Sequence, residues 1–238
     1  MLNTEAVERL ASKIETDTIG TVTDRTYEGL RAMILAREIE PGMVIEERRL
    51  AEMLRVSRTP MRAAMGRLLG EELLTRLSNG ALVVKTYTLK EYLELMRVRK
   101  ILEMEAAALA ASAISETELA HLRTLVTDLI GVEDAQRYWV VDDIFHETIA
   151  SNADNGHLRK LIADNRNQVR MCSVGKVPSR SKATCEEHLA ILDALSSRDP
   201  AASRQAMGDH LENVQRAFLR TLHGDAEDSD SDLIRKAG

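Results

Sequence analysis

From Thr88 to about residue 223, hydrophobic side chains recur only with the 3.6-residue period of the α-helix, and this pattern limits the possible folds more than any other feature. No internal repeat interrupts it. Ser115 and Asp199, which is followed by Pro200, are typical helix-start residues. Successive helices that each carry an apolar stripe must pack on one another, which predicts an all-α antiparallel bundle. The predicted helices cover residues 88–112, 115–131, 134–152, 155–175, 179–197 and 200–222.

The residues before Thr88 have a mixed pattern of short helices and strands. "MVI" predicts a short strand, and "LLTRL", "SNG" and "ALVVK" predict a strand, a tight turn and a strand. Helices that precede a β-hairpin in this order make a winged helix-turn-helix. The predicted helices run from Asp24 to Glu38, from Glu46 to Leu54, and from the N-cap Ser57 to about Leu69, with Pro60 in the first turn.

The predicted fold class is mainly α, with an N-terminal winged helix-turn-helix domain and a C-terminal all-α helical bundle. Aromatic residues make up only 3% of the chain, which favours helices over sheets. No apolar run approaches the roughly 18 residues needed to cross a bilayer, and the start lacks the apolar core of a signal peptide, so we expect a cytoplasmic protein without a membrane partner. The predicted segments are a flexible lead-in (1–22), which begins with a short helical pattern, the winged-helix domain (23–87), the all-helical domain (88–223) and a disordered acidic tail (224–238).

An arginine-rich segment stands out in a chain whose formal net charge is −6. Residues 48–67 contain six arginines and one acid, Glu52, which gives this segment a charge of +5. Arg58 and Arg62 lie on one face at the N-terminal end of the third helix, with Thr59 beside them. In a winged helix-turn-helix this end of the recognition helix enters the major groove, where a guanidinium can address guanine or phosphate.

Four further residues complete the predicted DNA-binding surface. Arg48 and Arg49, at the start of the preceding helix, are placed for contacts to the DNA backbone. Asn79 and Gly80 form the tip of the wing, which can reach the adjacent minor groove. The alternative is a solvated arginine-rich helix face, but that interpretation leaves the order of helices, proline and hairpin unexplained.

This part of the chain also resembles a known family. "PGMVIEERRLAEMLRVSRTPMRAAMGRL", followed by "LLTRLSNGALV", is similar to the DNA-binding domain of GntR-family bacterial transcription regulators, whose hallmark is a VSRTPxR run. The resemblance covers residues 24–87. It implies contacts to operator DNA from Arg58, Thr59 and Arg62, a phosphate contact from Arg48, and a wing that contains Asn79 and Gly80.

Three positions depart from the family pattern. Arg55 replaces the usual glycine of the turn, Ala63 replaces a common glutamate, and Glu72 replaces a glycine that ends the recognition helix. Glycine is preferred there because the backbone tends to be left-handed, so we expect Glu72 to cost about 1 kcal/mol of stability. Its negative charge near the DNA is also expected to lower affinity.

Polar residues on the apolar faces of three helices predict a metal site. Asp142 and His146 lie one turn apart on a face shared with Trp139, Phe145, Ile149 and Ala150. His188 and His210 lie on the apolar faces of two later helices. A lone inward histidine is usually a core residue bonded to a carbonyl, but a buried carboxylate needs a cation. One aspartate and three histidines suit a divalent transition metal, with zinc first and nickel, cobalt or manganese as alternatives.

The helical part resembles the FCD effector domain of the FadR subfamily. In that domain a D-x3-H pair on one helix and two later histidines bind metal, and Asp142, His146, His188 and His210 match this order and approximate spacing. Six helices rather than seven indicate the VanR-like group. In the family the metal tethers a small organic acid, which acts as the effector.

A possible effector clamp follows from the same resemblance. "MRVRKILEMEAAALAA" is similar to the first helix of the FCD domain, and this places Arg99 toward the pocket, where it can hold a carboxylate. The alternative for Arg99 is a surface salt bridge with Glu103, one turn further along the helix.

Three other functions would use the same four ligands. A metal-dependent hydrolase is opposed by "HETIA", which begins like the zincin motif HExxH but has Ala150 in place of the second histidine. It would also leave the winged helix unexplained, so we predict no enzymatic activity. A regulator that senses the metal itself, without an organic effector, and a purely structural metal both remain open on the sequence alone.

The sequence therefore predicts a DNA-binding transcription regulator that acts as a homodimer on a roughly two-fold symmetric operator. A small carboxylate at the metal site would shift the bundle between two packings, and the linker near residues 86–90 would pass the change to the DNA-reading helices. We predict that the regulator represses transcription and that the metabolite relieves this repression.

Overall fold

The chain forms two compact units, one built around the winged helix and one built from helices alone. The first unit comprises Met1–Tyr92 and Asn167–Gly175, and the second comprises the remainder. This arrangement confirms the predicted fold class. The structure is a computed structural model, and it describes residues 4–132, 134–172 and 181–235.

The first unit has the order of elements expected of a winged helix-turn-helix. Its helices are α1 (Thr4–Thr16), α2 (Val22–Leu35), α3 (Glu47–Met53) and α4 (Arg58–Gly70), and its strands are β1 (Val44–Ile45), β2 (Leu74–Arg76) and β3 (Leu82–Val84). Strand β3 lies between the other two and pairs antiparallel with both, so the order is β1-β3-β2. The predicted helices, hairpin and short first strand are all present.

Helix α1 is an ordered part of this unit, so the short helical pattern at the start of the chain does form a helix, and the assignment of residues 1–22 to a flexible lead-in is wrong over Thr4–Thr16. Val7, Leu10 and Ile14 recur at helical spacing and are buried in the core of the unit. Gly29 of α2 makes room for this packing, because a Cβ there would lie 2.0 Å from Leu10 Cδ1. Isolated helices of this length are marginal in water, so tertiary burial stabilises α1.

The first unit also takes in the end of a helix from the second half of the chain, which a contiguous division into domains did not predict. Met171 is buried in the same core as α1 and α2. Arg31 Nη2 donates to Asn167 Oδ1 at 2.7 Å, and Arg37 Nη2 donates to the Met171 carbonyl at 3.1 Å. Burial of an apolar side chain and two arginine hydrogen bonds therefore hold this segment in the unit.

Three non-glycine residues of the first unit, Arg37, Arg55 and Glu72, adopt the left-handed backbone that normally favours glycine. The angle φ is 55° at Arg55, which follows α3, and 57° at Glu72, which follows α4. The backbone N–H of Arg55 donates to Glu52 O at 3.2 Å, and that of Glu72 donates to Leu69 O at 3.1 Å. The left-handed helix end expected at Glu72 is confirmed. Arg55 also has a positive φ, as the glycine that usually occupies this turn position would.

Replacing Arg55 by glycine is expected to stabilise the protein by about 0.5–1 kcal/mol. A left-handed conformation costs an L-residue roughly 1–2 kcal/mol, while the greater flexibility of unfolded glycine returns roughly 0.5–1 kcal/mol. The ion pair of Arg55 with Glu15 is exposed, at 3.4 Å, and its loss costs little. Urea unfolding followed by circular dichroism measures the change. The matched control, Ala63→Gly in α4, should destabilise, and a lower midpoint for Arg55→Gly would contradict the account.

The second unit is built from helices only within the described residues. Helix α6 begins with a capping box, in which Ser115 and Glu118 each bond the other's backbone N–H. Asp199 caps α10 by accepting from the N–H groups of Ala201 and Ala202. The helices are α5 (Leu89–Ala110), α6 (Glu116–Thr127), α7 (Ala135–Ser151), α8 (Gly156–Cys172), α9 (Ser181–Ser196) and α10 (Pro200–Arg235).

Three predicted helices differ from the described structure at their ends. Parts of the predictions at 155–175 and 179–197 lie outside the described residues. Helix α10 continues to Arg235, so the predicted disordered tail is wrong over residues 224–235, and residues 236–238 lie outside the described part. Extension of an existing helix is favourable compared with nucleation, and no proline interrupts this stretch. Among the described helices, none combines the length and the apolar character needed to span a membrane.

Candidate nucleic-acid interface and metal centre

Helix α4 turns one face to the core of the first unit and the other to solvent. It begins after Ser57, which has the extended N-cap conformation but makes no side-chain capping bond. The exposed face carries Arg58, Thr59 and Arg62. The core-facing side chains are Met61, Ala64, Met65 and Leu68, and their helical spacing fixes which residues point outward.

An open groove lies along the exposed end of α4. Its volume is about 510 Å³, and Arg58, Thr59, Arg62 and Ala63 line it. Arg62 Nε lies 3.6 Å from Glu47 Oε1, and the Arg62 side chain is 73% exposed, so this pair is weak. Arg58 forms no ion pair within the described part of the chain. Both guanidinium groups are therefore available to an incoming anion.

The other arginines of the basic segment differ in their availability. Arg48 and Arg49 are exposed at the start of α3. Arg67 is engaged within the unit, because Nη1 lies 2.8 Å from Asp24 Oδ1 and the guanidinium lies 3.5 Å from the Tyr27 ring centroid. Arg67 therefore has a structural role, and the exposed positive charge is concentrated at α3 and the start of α4.

The tip of the wing is a tight turn at Asn79 and Gly80, and both residues are exposed. Gly80 has φ of 85° and donates its N–H to the Leu77 carbonyl at 2.9 Å. Asn79 Oδ1 accepts from the Ala81 N–H at 3.0 Å. Arg76 Nη1 donates to the Gly80 carbonyl at 2.9 Å, so a further positive charge, which sequence reasoning missed, lies at the tip.

Three helices of the second unit bring histidines together in its interior. His146 on α7, His188 on α9 and His210 on α10 are buried, and each offers a ring nitrogen within 4.8 Å of the other two. Asp142, one turn before His146, is also buried, and its Oδ1 lies 3.7 Å from Nε2 of both His146 and His188. All four residues predicted to bind metal therefore lie at one place.

The three histidines, with Asp142 beside two of them, have the donor types of a metal site, and some of the distances are close to those of one. Bond lengths of 2.0–2.2 Å place neighbouring ligands of a tetrahedral zinc about 3.4 Å apart, close to the 3.7 Å between Asp142 Oδ1 and the two nearest imidazoles. The Nε2 atoms of His146 and His188 are buried and have no hydrogen-bond partner among the described residues. Such atoms cost about 1–3 kcal/mol each when unsatisfied, and a cation would satisfy both.

Carboxylates hold the far side of two of the imidazoles. His146 Nδ1 bonds Glu103 on α5, and His210 Nδ1 lies 2.9 Å from Glu187 Oε2 on α9. Glu187 Oε1 also accepts from Asn213 Nδ2 at 2.9 Å. A carboxylate that accepts the Nδ1 proton leaves the Nε2 lone pair toward the centre of the site and orients the ring, as is typical of metal-binding histidines.

The electrostatic surroundings favour the protonation states that metal binding would require. Burial, aided by the nearby Arg166 guanidinium, lowers the pKa of His146 to about 4. Burial and then His210 hold the pKa of His188 well below its ordinary value. Burial alone would raise the pKa of Asp142, but Arg166 and the neighbouring imidazoles hold it well below the usual range. Neutral imidazoles and an ionised carboxylate are the required forms.

Two buried arginines flank the ligands. Arg99, the predicted effector clamp, donates from Nε to Glu103 Oε1 at 2.6 Å, so its salt bridge with Glu103 forms in the interior rather than on the surface. Arg166 on α8 donates from Nη2 to Asp142 Oδ2 at 2.8 Å and to Asp143 Oδ1 at 3.0 Å. Arg99 therefore contacts the carboxylate behind the candidate ligand His146, whereas Arg166 contacts the candidate ligand Asp142 directly.

Sequence reasoning missed the roles of three residues around the metal centre. The sequence indicates Glu103 only as a surface partner of Arg99, and it assigns no role to Glu187 or Arg166. Arg166 could have been found, because it lies between buried Ile162 and Val169 on the stripe of α8 that packs inward. Periodicity would have shown that it is oriented inward but could not have shown which carboxylate it meets.

Comparison with known families defines the class of protein. Residues 22–84 match the family described as "Bacterial regulatory proteins, gntR family", and residues 94–213 match the FCD domain. The fold and these matches define a winged-helix, DNA-binding regulator with a helical second domain. The chain belongs to the GntR family and carries an FCD domain. It is a transcription regulator rather than an enzyme, as the sequence predicted.

Similar proteins support this assignment. The Nta operon transcriptional regulator of Aminobacter aminovorans is 28% identical, with 86% of this chain and 100% of the relative covered. The gluconate operon transcriptional repressor of Bacillus subtilis (strain 168) is 27% identical, with 79% of this chain and 81% of the relative covered. The solved structure of E. coli McbR/YncC has a TM-score of 0.73 at 22% identity, covers 86% of this chain and all of its own, and shows the shared fold.

Proposed function

We propose that this regulator binds its operator as a homodimer and that a small carboxylate metabolite controls the affinity. Asp142, His146, His188 and His210 would hold a divalent transition metal, with zinc first and nickel, cobalt or manganese as alternatives. The metal supplies a Lewis acid that coordinates a carboxylate oxygen, and Arg99 lies next to the orienting carboxylate Glu103. The protein would act in the cytoplasm, where operator DNA is found.

The observation that carries the metal proposal is the pair of orphaned imidazole nitrogens. Nε2 of His146 and of His188 are buried, lack a hydrogen-bond partner among the described residues, and face the same Asp142 oxygen. A core histidine would instead donate to a carbonyl or accept from a donor. Carboxylates on the opposite ring nitrogens of His146 and His210 also favour coordination.

The DNA-binding role of specific residues is part of the same proposal. Arg58, Thr59 and Arg62 would contact bases or phosphates from the exposed end of α4, because they line an open groove and are not buried. Arg48 and Arg49 on α3, and Asn79 and Gly80 at the tip of the wing, are also exposed and would contact the DNA backbone and the minor groove.

A homodimer suits both units. Val98, Ile101 and Leu109 lie on one face of α5 with exposed fractions of 45%, 64% and 41%. These positions are within about 80° of one another around the helix, so they form one stripe, which is apolar except for Glu105, an ion-pair partner of Arg204. A second copy of the chain would cover this stripe and place two winged helices on two operator half-sites.

Two helices could carry a signal between the units. The chain passes from the first unit to the second within α5 and returns to the first within α8. Helix α8 therefore offers a second covalent route for the signal, in addition to the proposed route through residues 86–90. On this helix Arg166 contacts Asp142, and the next residue, Asn167, accepts a hydrogen bond from Arg31. The metabolite would weaken operator binding, and the name of the Bacillus gluconate repressor supports repression as the default.

A thermal-shift screen of small organic acids, run in parallel on metal-loaded and chelator-stripped protein, tests this function. An acid at a hundredfold excess over its Kd should raise the unfolding midpoint by about 5–10 °C, and only when metal is present. Equal shifts with and without metal would contradict a metal-tethered effector. If no acid acts but stripping changes operator affinity, the metal is itself the signal. If stripping only unfolds the second unit, the metal is structural.

A further inference from the structure

We infer that Arg166 is the side chain that anchors the carboxylate of the effector, and that it does so with the nitrogen it does not use to hold the metal ligand Asp142. The inference rests on the proposed metal site and specifies how an anion is recognised there. The ligand class is a small carboxylate that can place one oxygen on the metal and another on a guanidinium. The anchoring atom is Arg166 Nη1.

The two terminal nitrogens of Arg166 have different surroundings. Nη2 donates to Asp142 Oδ2 at 2.8 Å, which fixes the guanidinium beside the metal ligands. Nη1 is buried and has no hydrogen-bond partner among the described residues, and Glu103 Oε1 lies 3.9 Å from it, beyond hydrogen-bond distance. A buried N–H donor of a charged group is costly when unsatisfied. An anion that occupies this position would remove that cost.

Asp142 connects this donor to the metal. One of its oxygens, Oδ1, faces His146 and His188, and the other, Oδ2, bonds Arg166. The guanidinium is therefore separated from the metal position by a single carboxylate group. A carboxylate spans a similar distance between its two oxygens, so one small acid can contact both the metal and Nη1.

Charge balance also favours an anion at this position. The buried or nearly buried groups around the site are three carboxylates (Asp142, Glu103 and Glu187) and two guanidinium groups (Arg99 and Arg166), which leaves one net negative charge. A divalent ion with three neutral imidazoles changes this to one net positive charge. Asp143 is 53% exposed, so water screens its contribution. A buried excess charge is unfavourable, and a monocarboxylate would neutralise it.

Arg99 is less suited to this role. Its Nε donates to Glu103 Oε1 at 2.6 Å, and Glu103 in turn bonds His146. Arg99 thus acts through Glu103 as a positioning residue for a metal ligand. Arg166 combines a fixed orientation with an unused, buried donor, and this combination distinguishes an anchor for ligand from a group that only stabilises the fold.

The test uses full-length protein loaded with cobalt(II) and acetate as the probe. Acetate is titrated at constant ionic strength while the visible absorption of the cobalt site is recorded, and cobalt affinity is measured separately by competition with a chelator. Arg166→Gln should weaken acetate binding at least about tenfold, since it removes a charge-assisted hydrogen bond. Cobalt affinity should fall less than acetate affinity, because all four metal ligands remain and the loss of a cation next to Asp142 partly offsets the loss of its hydrogen bond. Arg166→Lys should give an intermediate acetate affinity.

The matched control is Arg159→Gln, which removes an exposed arginine from the same helix. It should change neither affinity. If Arg166→Gln binds acetate as tightly as the wild type does, the inference about Arg166 is overturned and the proposed function is not. Parallel loss of cobalt and acetate binding would also overturn the inference, because it would indicate a structural role for Arg166. A cobalt-loaded wild-type protein that does not respond to acetate would overturn the carboxylate part of the proposed function as well. Failure of the wild type to bind cobalt would overturn the metal site itself.

Discussion

Replacing Arg58 or Arg62 by alanine is expected to weaken operator binding by roughly 10- to 100-fold for each substitution, which corresponds to the value of one bidentate contact to a base. Both side chains are exposed at the end of α4 that a winged helix inserts into the major groove. Neither contributes to the core, whose α4 members lie on the opposite face. The unfolding midpoint should therefore stay within the range of ordinary surface substitutions.

The salt dependence of binding separates base contacts from phosphate contacts. If Arg58 or Arg62 grips phosphate, its loss should lower the slope of log affinity against log salt by about 1 and affect all DNA sequences alike. If it reads a base, the loss should be confined to the operator. The matched control is Arg123→Ala on α6, an arginine of the second unit that pairs with Asp193 on the surface. Unchanged operator affinity in both variants would show that α4 does not read DNA.

Replacing His188 by alanine is expected to reduce the metal content of the purified protein from near one ion per chain to a small fraction, with a loss of affinity larger than the roughly 10- to 100-fold typical of outer-shell changes. His188 is 3% exposed, and its Nε2 has no partner among the described residues. The Phe145 ring stacks on the imidazole, with centroids 4.0 Å apart and planes at 9°. The rigid placement of His188 is expected to make the contribution of this one ligand large.

Two controls test whether a loss of metal in His188→Ala comes from the loss of this one ligand. His121→Ala removes an exposed histidine of α6 and should leave metal content unchanged. Metal-free wild-type protein and His188→Ala should resemble each other in unfolding midpoint more than either resembles the loaded protein, since binding to the folded state alone stabilises it. Full metal occupancy in His188→Ala, measured by elemental analysis, would exclude His188 from the site.

The sequence predicted much of this architecture because its signals are local. A 3.6-residue period, capping residues at Ser115 and Asp199, and the turn at Asn79-Gly80 each act over a few residues, and each appears in the structure at the expected place. The left-handed backbone at Glu72 was also predictable, because a helix end has a restricted set of geometries. Periodicity likewise oriented Asp142 and His146 toward the interior.

Local signals failed where stability comes from distant contacts. The segment that forms α1 is polar and short, and it is ordered because Val7 and Leu10 pack against another helix. The end of α8 belongs to the first unit because Met171 is buried there, although it lies far along the chain. No window of sequence around either segment contains its partner.

By itself, the sequence determined that the chain has a winged helix followed by a helical bundle, and that one aspartate and three histidines point inward, because periodicity fixes the direction of a side chain from its own helix. Only the tertiary structure decided which groups those side chains meet. Glu103 is placed behind His146, and Arg166 beside Asp142, by the packing of α5, α7 and α8. Charge pairing in the interior depends on distances between helices, and the sequence alone does not specify those distances.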